Sequence, residues 1–332
     1  MTHPGQVGLE ILQLDAAAEI ARIAAAIESA VLGTLRKKGV VVGISGGIDS
    51  AVVTALCARA LGPGRVHGLF TPERHSSQDT LRLSRAVAAA AGVHAELFDI
   101  TDALAAVGCY RRQDEAFRSA IPDYGEGWRA KIVLPSVLDG GYRVFSAVAI
   151  SPDGREVRRR MSVESYLGLV AATNYKQRTR KMVEYYHAER LNYAVAGTPN
   201  RLEYDQGFFV KGGDGQADFK PIAHLYKSQV YQLAAALGIP DEVCRRPPTT
   251  DTYSMEQGQD EFYFSLPYEK MDLCLCAKNR GIPASALTQA LGLSTEKIEL
   301  VFKDIDGKRR TTRYQHLAPI LVEDVPEISN HT

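Results

Sequence analysis

Along the first two thirds of the chain, runs with apolar residues at helical spacing alternate with short, unbroken β-branched runs. An alanine-rich stretch over residues 14–38 repeats its apolar positions every three or four residues, which predicts one amphipathic helix ended by Gly39. The run VVVGIS follows as a buried strand. A helix over about 48–61, a strand in RVHGLF, a helix over about 77–91 and a strand in HAELFDI come next. A long helix over 163–190 then leads into the strand YAVAG. Strands separated by helices of this length pair in parallel through right-handed crossovers. The predicted fold class is therefore α/β, a doubly wound parallel sheet in three layers.

Two segments break the rhythm. Residues 110–160 show little helical periodicity; within them YRVFSAVAI and REVRRRM, joined by Pro152-Asp153-Gly154, read as an inserted β-hairpin. Residues 204–218, YDQGFFVKGGDGQAD, read as a glycine-dense loop of a length that usually serves function. Past Pro247 the pattern is one of short helices, so 245–332 is a helical C-terminal extension. The expected organisation is a single domain over 1–332, with an N-terminal helix in 1–38, an insertion at 110–160 and no internal repeat.

Composition changes this picture little. A chain of 332 residues, 45% hydrophobic and 23% charged, is ordinary for a soluble globular protein. Lysine plus arginine and aspartate plus glutamate balance at 39 each, so no global field draws in nucleic acid or an anionic membrane. The run Arg158-Arg159-Arg160 reads as a solvated face. No apolar run approaches the ~18 residues of a membrane span, and no secretory leader pattern opens the chain. Five scattered cysteines, an odd number, fit a reducing, cytoplasmic compartment. Cys274 and Cys276 are two apart rather than three, so they read as core residues, not a metal pair.

The chemistry begins where VVVGIS runs into Ser45-Gly46-Gly47-Ile48-Asp49-Ser50. Glycines at a strand-to-helix turn let the backbone approach an anion, and the helix N-terminus adds free N–H groups and a positive partial charge. Gly43, Ile44, Ser45, Gly46, Gly47, Ile48, Asp49 and Ser50 are thus candidate phosphate-binding residues, with the two serines as hydroxyl donors. A bare Ser-Gly-Gly can also be a tight turn with Asp49 as its cap. A carboxylate beside a phosphate cradle would repel the ligand unless magnesium lay between them, which points to a polyphosphate with its metal. The stretch is neither G-x-x-x-x-G-K-[ST] nor G-x-G-x-x-G.

The string S-G-G-x-D-S after a buried strand resembles the pyrophosphate loop of the N-type ATP pyrophosphatases, which split ATP into AMP and pyrophosphate. The stretch running from NYKQR through GTPNRLE, the glycine-dense loop and LYK to LGIP, together with FTPERHSSQD and PPTTDT, resembles the NAD synthetase family. The likeness covers most of the chain outside 110–160 and the ends. It implies the adenine nucleotide α-hydrolase-like form of the fold, and ATP-dependent amidation of deamido-NAD to NAD. By the same resemblance, Thr198 in GTPNRLE and Thr249 in PPTTDT contact ATP. Lys227 in LYK meets the phosphates as a point charge, and Asp49 and Glu203 hold Mg2+. Asp49 and Lys227 are the candidate catalytic residues. Arg178 in NYKQR, Lys211 and Asp218 bind deamido-NAD. The family more often has Lys-Ser where this chain has Arg201-Leu202, and commonly His-Lys-Arg where this chain has Gly307-Lys308-Arg309; Lys308 is carried over as a substrate contact. Taken singly, Arg178 and Lys227 could be solvated helix residues, and Glu203 a first-turn carboxylate. GDGQAD lacks the bidentate Glu of a calcium loop.

The implied reaction is attack of the nicotinate carboxylate on the α-phosphorus of ATP, giving an acyl-adenylate, followed by attack of ammonia and loss of AMP. The loop around Lys211 is a candidate lid. Only a helix and a short tail precede the phosphate turn, and no cysteine lies in glutaminase-like sequence. Free ammonia is the expected nitrogen source, and a separate glutaminase subunit is compatible with the chain. The family resemblance also implies a homodimer. Three rivals stand beside this reading. One is an amide ligase of the same type that adenylates a different carboxylate. Another is a tRNA-modifying ATP pyrophosphatase, which the neutral charge and the missing cysteine pair disfavour. The last is a nucleotide-binding protein without catalysis, which would not need two metal carboxylates and Lys227.

Overall fold

The computed structural model describes residues 6–139, 144–247, 252–255, 258, 263, 264 and 266–328. Asp15 caps helix α1 (Ala16–Glu28) by accepting from the Ala18 N–H at 3.0 Å, and Ile20, Ile23 and Ile27 form its buried stripe. A π-helical stretch, Ser29–Thr34, follows, so the regular part of the expected N-terminal helix ends early. Strand β1 (Val40–Gly43), α2 (Ile48–Leu61), β2 (Val66–Phe70), α3 (Gln78–Ala91) and β3 (His94–Leu97) then build two consecutive βαβ units. After α4 (Thr101–Ala106) and α5 (Cys109–Ala120) come β4 (Arg129–Val133), β5 (Ser146–Ile150) and β6 (Glu156–Arg160). The 29-residue α6 (Val163–Leu191) returns the chain to the central sheet as β7 (Ala194–Val195). The remaining helices are α7 (Arg201–Gln206), α8 (Lys227–Leu237), α9 (Asp241–Arg245), α10 (Tyr268–Asn279), α11 (Thr288–Leu291) and α12 (Thr295–Thr312).

The central sheet has the order β3-β2-β1-β7 and is parallel throughout, as expected, with Val40 opposite Val66 and Ala194, and His67 opposite His94. Neighbouring residues of a strand face opposite sides, so a strand covered on both sides must be apolar at every position. That is the reason for the valine run in β1. Val40 and Val42 pack with Ile23, Val52, Leu56 and Leu233 on the face covered by α1, α2, α3 and α8. Val41 packs with Leu69, Leu104, Val183 and Val195 on the face covered by α4, α5 and α6. From β1 the chain moves outward to β3, then crosses back through α6 to β7 on the other side of β1. The C-terminal ends of β1 and β7 therefore part at a topological switch point, where open α/β sheets bind their ligands.

Several expectations need correction. Helices α4 and α5 occupy sequence partly read as lacking helical pattern. In α5 the buried positions are Cys109, Tyr110, Gln113, Ala116 and Phe117, a helical stripe interrupted by a polar residue. The Gln113 amide is buried because it donates to Thr173 Oγ1 on α6 at 2.9 Å. The hairpin β5–β6 forms as read, but β4 joins it in a three-stranded antiparallel sheet, with Ala130 opposite Ala149. Ala130, Ile132, Ala147 and Ala149 pack on Phe117, Tyr124 and Leu169, while Arg158, Arg159 and Arg160 stay exposed as expected. Helix α12 is 18 residues long, not short, and it contributes Ile298, Val301 and Ile305 to a second core with Leu202, Met271 and Leu275. Cys274 and Cys276 are core residues, as the sequence implied. Tyr204, Asp205 and Gln206 belong to α7, so the glycine-dense loop begins at Gly207. Among the described residues no helix is long and apolar enough to cross a membrane.

Leu56 has no exposed surface. Leu56→Ala is expected to cost about 2–5 kcal/mol, read as a lower urea midpoint. Arg158→Ala, on the exposed edge, should stay within about 0.5 kcal/mol. Equal losses from the two would contradict the placement of Leu56 in the core.

Candidate active site

Beyond Gly43 the sheet continues for one more residue, with the Ile44 N–H donating to Leu69 O at 2.9 Å. The turn into α2 is then shaped by two serines. Ser50 Oγ donates to Gly47 O at 3.0 Å and accepts from the Ser45 N–H at 3.2 Å, and the Ser45 hydroxyl lies 3.2 Å from it. The Ser50 hydroxyl thus holds the turn together. Gly46 adopts φ +70°, and a Cβ there would stand 2.7 Å from the Thr80 carbonyl oxygen of α3. Only glycine fits. Gly46 packs toward α3 and, unlike the other residues of 43–50, does not line the adjoining cavity.

Helix α2 starts at Gly47 with no side-chain cap. By contrast α1, α3, α6, α7 and α12 each begin under an Asp, Ser or Asn side chain. The uncapped end opens on a cavity of about 500 Å³, lined by Ser45, Gly47, Ile48 and Asp49 on one side and by Thr198, Glu203, Lys227 and Tyr231 on another. Uncapped N–H groups at a helix start, carrying its positive partial charge, make an anion site.

The charges around that end converge from three elements. Asp49 comes from the first turn of α2, Lys227 is the first residue of α8, and Glu203 lies in the first turn of α7. Lys227 Nζ makes an ion pair with Asp49 Oδ2, with the two side chains 3% and 16% exposed. Burial alone would lower the Lys227 ammonium, but the carboxylates of Asp49 and Glu203 offset it and hold its pKa above the ordinary value. Asn200 ties the carboxylates together: its Nδ2 donates to Asp49 Oδ1 at 3.1 Å, and its side-chain oxygen accepts from the Glu203 N–H at 3.3 Å. Glu203 Oε2 completes a capping box by accepting from the Asn200 N–H at 3.1 Å. Desolvation pushes the Glu203 carboxyl up to about 8, and the neighbouring Asp49 charge adds to the shift. Two hard carboxylates forced together in this way are a donor set that suits Mg2+, which would hold both ionised.

Lys227 is itself held from behind. Asp272 of α10, with no exposed surface, accepts from the Lys227 N–H at 3.2 Å and from the Ser228 N–H and Oγ at 2.6 Å each. It caps α8 from a distant element and so fixes where the lysine starts. Sequence reasoning missed Asp272, although a lone carboxylate inside MDLCLC was a signal. It also missed Asn200, which the N-x-x-E spacing of a capping box could have revealed. A third omission is Lys176, 1% exposed, which donates to Glu73 Oε1 at 3.0 Å and to Thr252 O at 2.8 Å across the cavity wall.

The other candidates fare differently. Thr198 lines the cavity, whereas Thr249 lies outside the described residues. Arg178 and Lys211 are exposed neighbours outside the cavity lining, with Arg178 Nε donating to Lys211 O at 3.3 Å. Lys211 Nζ donates to Tyr314 O and Leu317 O at 3.1 Å each, and Tyr314 lines the cavity. The expected lid is thus anchored to the segment after α12. Gly207 at its start lies so close to Thr312 that a Cβ would come within 2.3 Å of it. Asp218 is occupied with the sheet: its Oδ2 accepts from the Val195 N–H at 2.7 Å and its Oδ1 from Tyr185 OH at 3.2 Å. Lys308 does not line the cavity. It is buried, paired with Asp304 at 2.8 Å and donating to Tyr263 O at 2.6 Å, so it supports a lining residue instead of reaching the space itself. Leu202, in one of the departures from the family pattern, is 2% exposed in the second core, which explains an apolar residue there.

The family model described as NAD synthase matches residues 19–122 and 144–314. The chain belongs to this family. Within the segment read as an insertion, the NAD synthase match leaves out only 123–143, which contains β4. The chain is 57% identical over 318 residues to the NH(3)-dependent NAD(+) synthetase of Mesorhizobium japonicum, covering 96% of this chain and all of that one. Its fold is similar to NMN synthetase from Francisella tularensis, with a TM-score of 0.64 at 19% identity over 93% of this chain and 99% of that one. It is also similar to the NH3-dependent NAD synthetase of Campylobacter jejuni, with a TM-score of 0.61 at 20% identity over 94% and 100% of the two chains.

The Glu203 shift has a sign that can be measured. The folded chain keeps a proton on Glu203 up to about pH 8, while the unfolded chain releases it near 4.5. This group's contribution to stability is therefore full below 4.5 and is lost as pH rises through 8. In chelator and without nucleotide, Glu203→Gln should gain melting temperature relative to the unsubstituted chain, and the gain should grow as pH rises between those values. A difference independent of pH would show that the carboxyl is already ionised and satisfied.

Proposed function

We propose that this chain makes NAD from deamido-NAD, ammonia and ATP, releasing AMP and pyrophosphate. The observation that carries the reading is the uncapped start of α2 set beside Asp49, Glu203 and Lys227 in one cavity at the switch point of the sheet. The near full-length identity to NH(3)-dependent relatives supports ammonia as the nitrogen source. A separate glutaminase subunit is compatible with this.

In this mechanism the α2 turn receives the β and γ phosphates, with Ser45 and the backbone of Gly47–Asp49 as donors. Thr198 and Thr249 contact ATP. Asp49 and Glu203 would hold Mg2+, which supplies neutralisation of the phosphate charge. Lys227, now paired with Asp49, redirects its ammonium to the phosphates and stabilises the charge that builds as the α–β bond breaks. A nicotinate carboxylate oxygen attacks the α-phosphorus and pyrophosphate leaves. Ammonia then attacks the acyl carbon of the mixed anhydride, loses its extra proton to solvent, and AMP departs with the former carboxylate oxygen. The walls from α6 and the segment around Tyr314 keep competing water away from the anhydride. Arg178 and Lys211, adjacent outside the cavity lining, take anionic groups of deamido-NAD in this reading. Asp218 and Lys308 act from further back, through the backbones of Val195 and Tyr263.

The family resemblance to homodimers is supported by α6, which leaves Val163, Leu167, Met182 and Tyr186 exposed at 75%, 57%, 62% and 60%. Five unpaired cysteines, four of them buried, agree with a cytoplasmic setting. The fold itself does not choose between acids, since an NMN synthetase shares it.

With ATP, Mg2+, ammonium and deamido-NAD, the protein should form AMP, pyrophosphate and NAD in equal amounts. Nicotinate mononucleotide in place of deamido-NAD should react poorly. Formation of ADP, or a preference for the mononucleotide, would overturn the proposal. Asp49→Ala should slow pyrophosphate–ATP exchange by about 10²-fold or more; exchange at an undiminished rate would remove Asp49 from the adenylation step.

A further inference from the structure

Three residues before Phe70, which lines the cavity, β2 carries His67 on the α6 side of the sheet. His67 lies in register with His94 on the edge strand β3, and Glu96, two residues further on, faces the same side. Helix α6 brings His187 over both. His67 Nε2 is 3.7 Å and His187 Nδ1 3.8 Å from Glu96 Oε2, and the two imidazoles stack with centroids 5.0 Å apart. One nitrogen from each ring and a carboxylate oxygen all lie within 4.8 Å of one another. His67 is 7% and His187 2% exposed, yet Nε2 of each ring has no hydrogen-bond partner. Two buried ring nitrogens without partners are costly as a purely structural arrangement; that of His67 faces Glu96, whereas His187 turns its Nδ1 to the carboxylate.

We propose that His67, Glu96 and His187 form a binding site for a borderline-soft divalent cation, Zn2+ in particular, separate from the magnesium carboxylates of the nucleotide cavity. Zinc bonds of about 2.0–2.2 Å place tetrahedral ligand atoms roughly 3.3–3.5 Å apart. The observed 3.7 and 3.8 Å to Glu96 need a contraction of only a few tenths of an ångström, while the nitrogen–nitrogen edge, within 4.8 Å, has further to close. Two imidazoles with one carboxylate are a zinc-type donor set and a poor magnesium one. Desolvation pushes His67 down to about 4 and lowers His187 as well, leaving neutral rings with lone pairs available. Glu96, with a side chain 44% exposed, gives the ion a way in from solvent. The ring of His94 lies beside that of His67, with centroids 5.5 Å apart.

Arg190 completes the argument. Its Nη2 lies 3.0 Å from His187 Nδ1 and 3.9 Å from Glu96 Oε2, so a guanidinium stands against the ligands that a metal ion would take. That side chain is 46% exposed and can swing into solvent. Arginine and metal ion therefore compete for the same ligands, and removal of the arginine should tighten metal binding.

The test uses the full chain, stripped with chelator, and Zn2+ measured by competition with a chromophoric chelator. Co2+ serves as a spectroscopic probe of geometry. One equivalent should bind, with the intense visible bands of tetrahedral Co2+. His187→Gln and Glu96→Gln should each weaken Zn2+ binding at least tenfold, and Arg190→Gln should strengthen it several-fold. Asp49→Ala should leave it unchanged. Glu96 is partly exposed on an edge strand, so Glu96→Gln carries the test if a histidine variant fails to fold. Absence of saturable binding, binding unaltered in both the His187 and Glu96 variants, or loss of binding in Asp49→Ala would overturn the proposal.

Discussion

The Lys227 ammonium is almost wholly enclosed, and it is tolerated there because Asp49 pairs with it and Glu203 stands beside it. An isolated ammonium or carboxylate in that wall would be costly, and the loss of one partner would strand the other. Much of the architecture follows from bringing these groups together. Helix α2 must begin where α8 begins, which requires β1 to end at the switch point. Asn200 must sit between the two carboxylates, which fixes the exit of β7. Asp272 must reach back from α10 to hold the first turn of α8. The second core, built by α10 and α12, thereby has a role in the nucleotide cavity although most of its residues never touch it.

The parallel sheet and its helices were legible because their periods are strong and their ends are marked. Valines at every position of β1 announce a strand covered on both sides, and Ser77 and Gly92 bracket α3. The α2 helix lies at 48–61, where the pattern placed it. What was illegible depended on distant partners. Helix α5 hides its stripe because Gln113 is buried by a hydrogen bond to Thr173, sixty residues away. Strand β4 has no meaning until β5 pairs with it. The same division holds for the site. Asp49 was named from its turn, and Glu203 and Lys227 from the family resemblance; the three share one cavity wall. Asp272 has no local motif, and its task appears only when α10 meets α8. Lys308 and Asp218 were named as substrate contacts by the family resemblance, and their side chains bond to Tyr263 O and to the Val195 N–H.

The comparisons divide the question in a similar way. Likeness of fold extends to an NMN synthetase and to an NAD synthetase at nearly equal similarity, so the fold alone does not name the acid. Identity of 57% over almost the whole chain to NH(3)-dependent NAD(+) synthetases is a narrower constraint, because it includes the walls beyond the turn. The internal segment outside the family match, 123–143, carries β4 of the small antiparallel sheet. That sheet rests on α5 and α6 with its own apolar contacts, so it can vary without disturbing the valines of β1.

The cavity draws on residues from Gly43 to Gln315, separated by most of the chain. During synthesis the phosphate turn emerges early, but Lys227 follows much later and the wall at Tyr314 later still. A ribosome-bound intermediate can thus fold the βαβ units while the cavity still lacks its later walls. The cavity is complete only once the segment after the last long helix has docked on the parts made first.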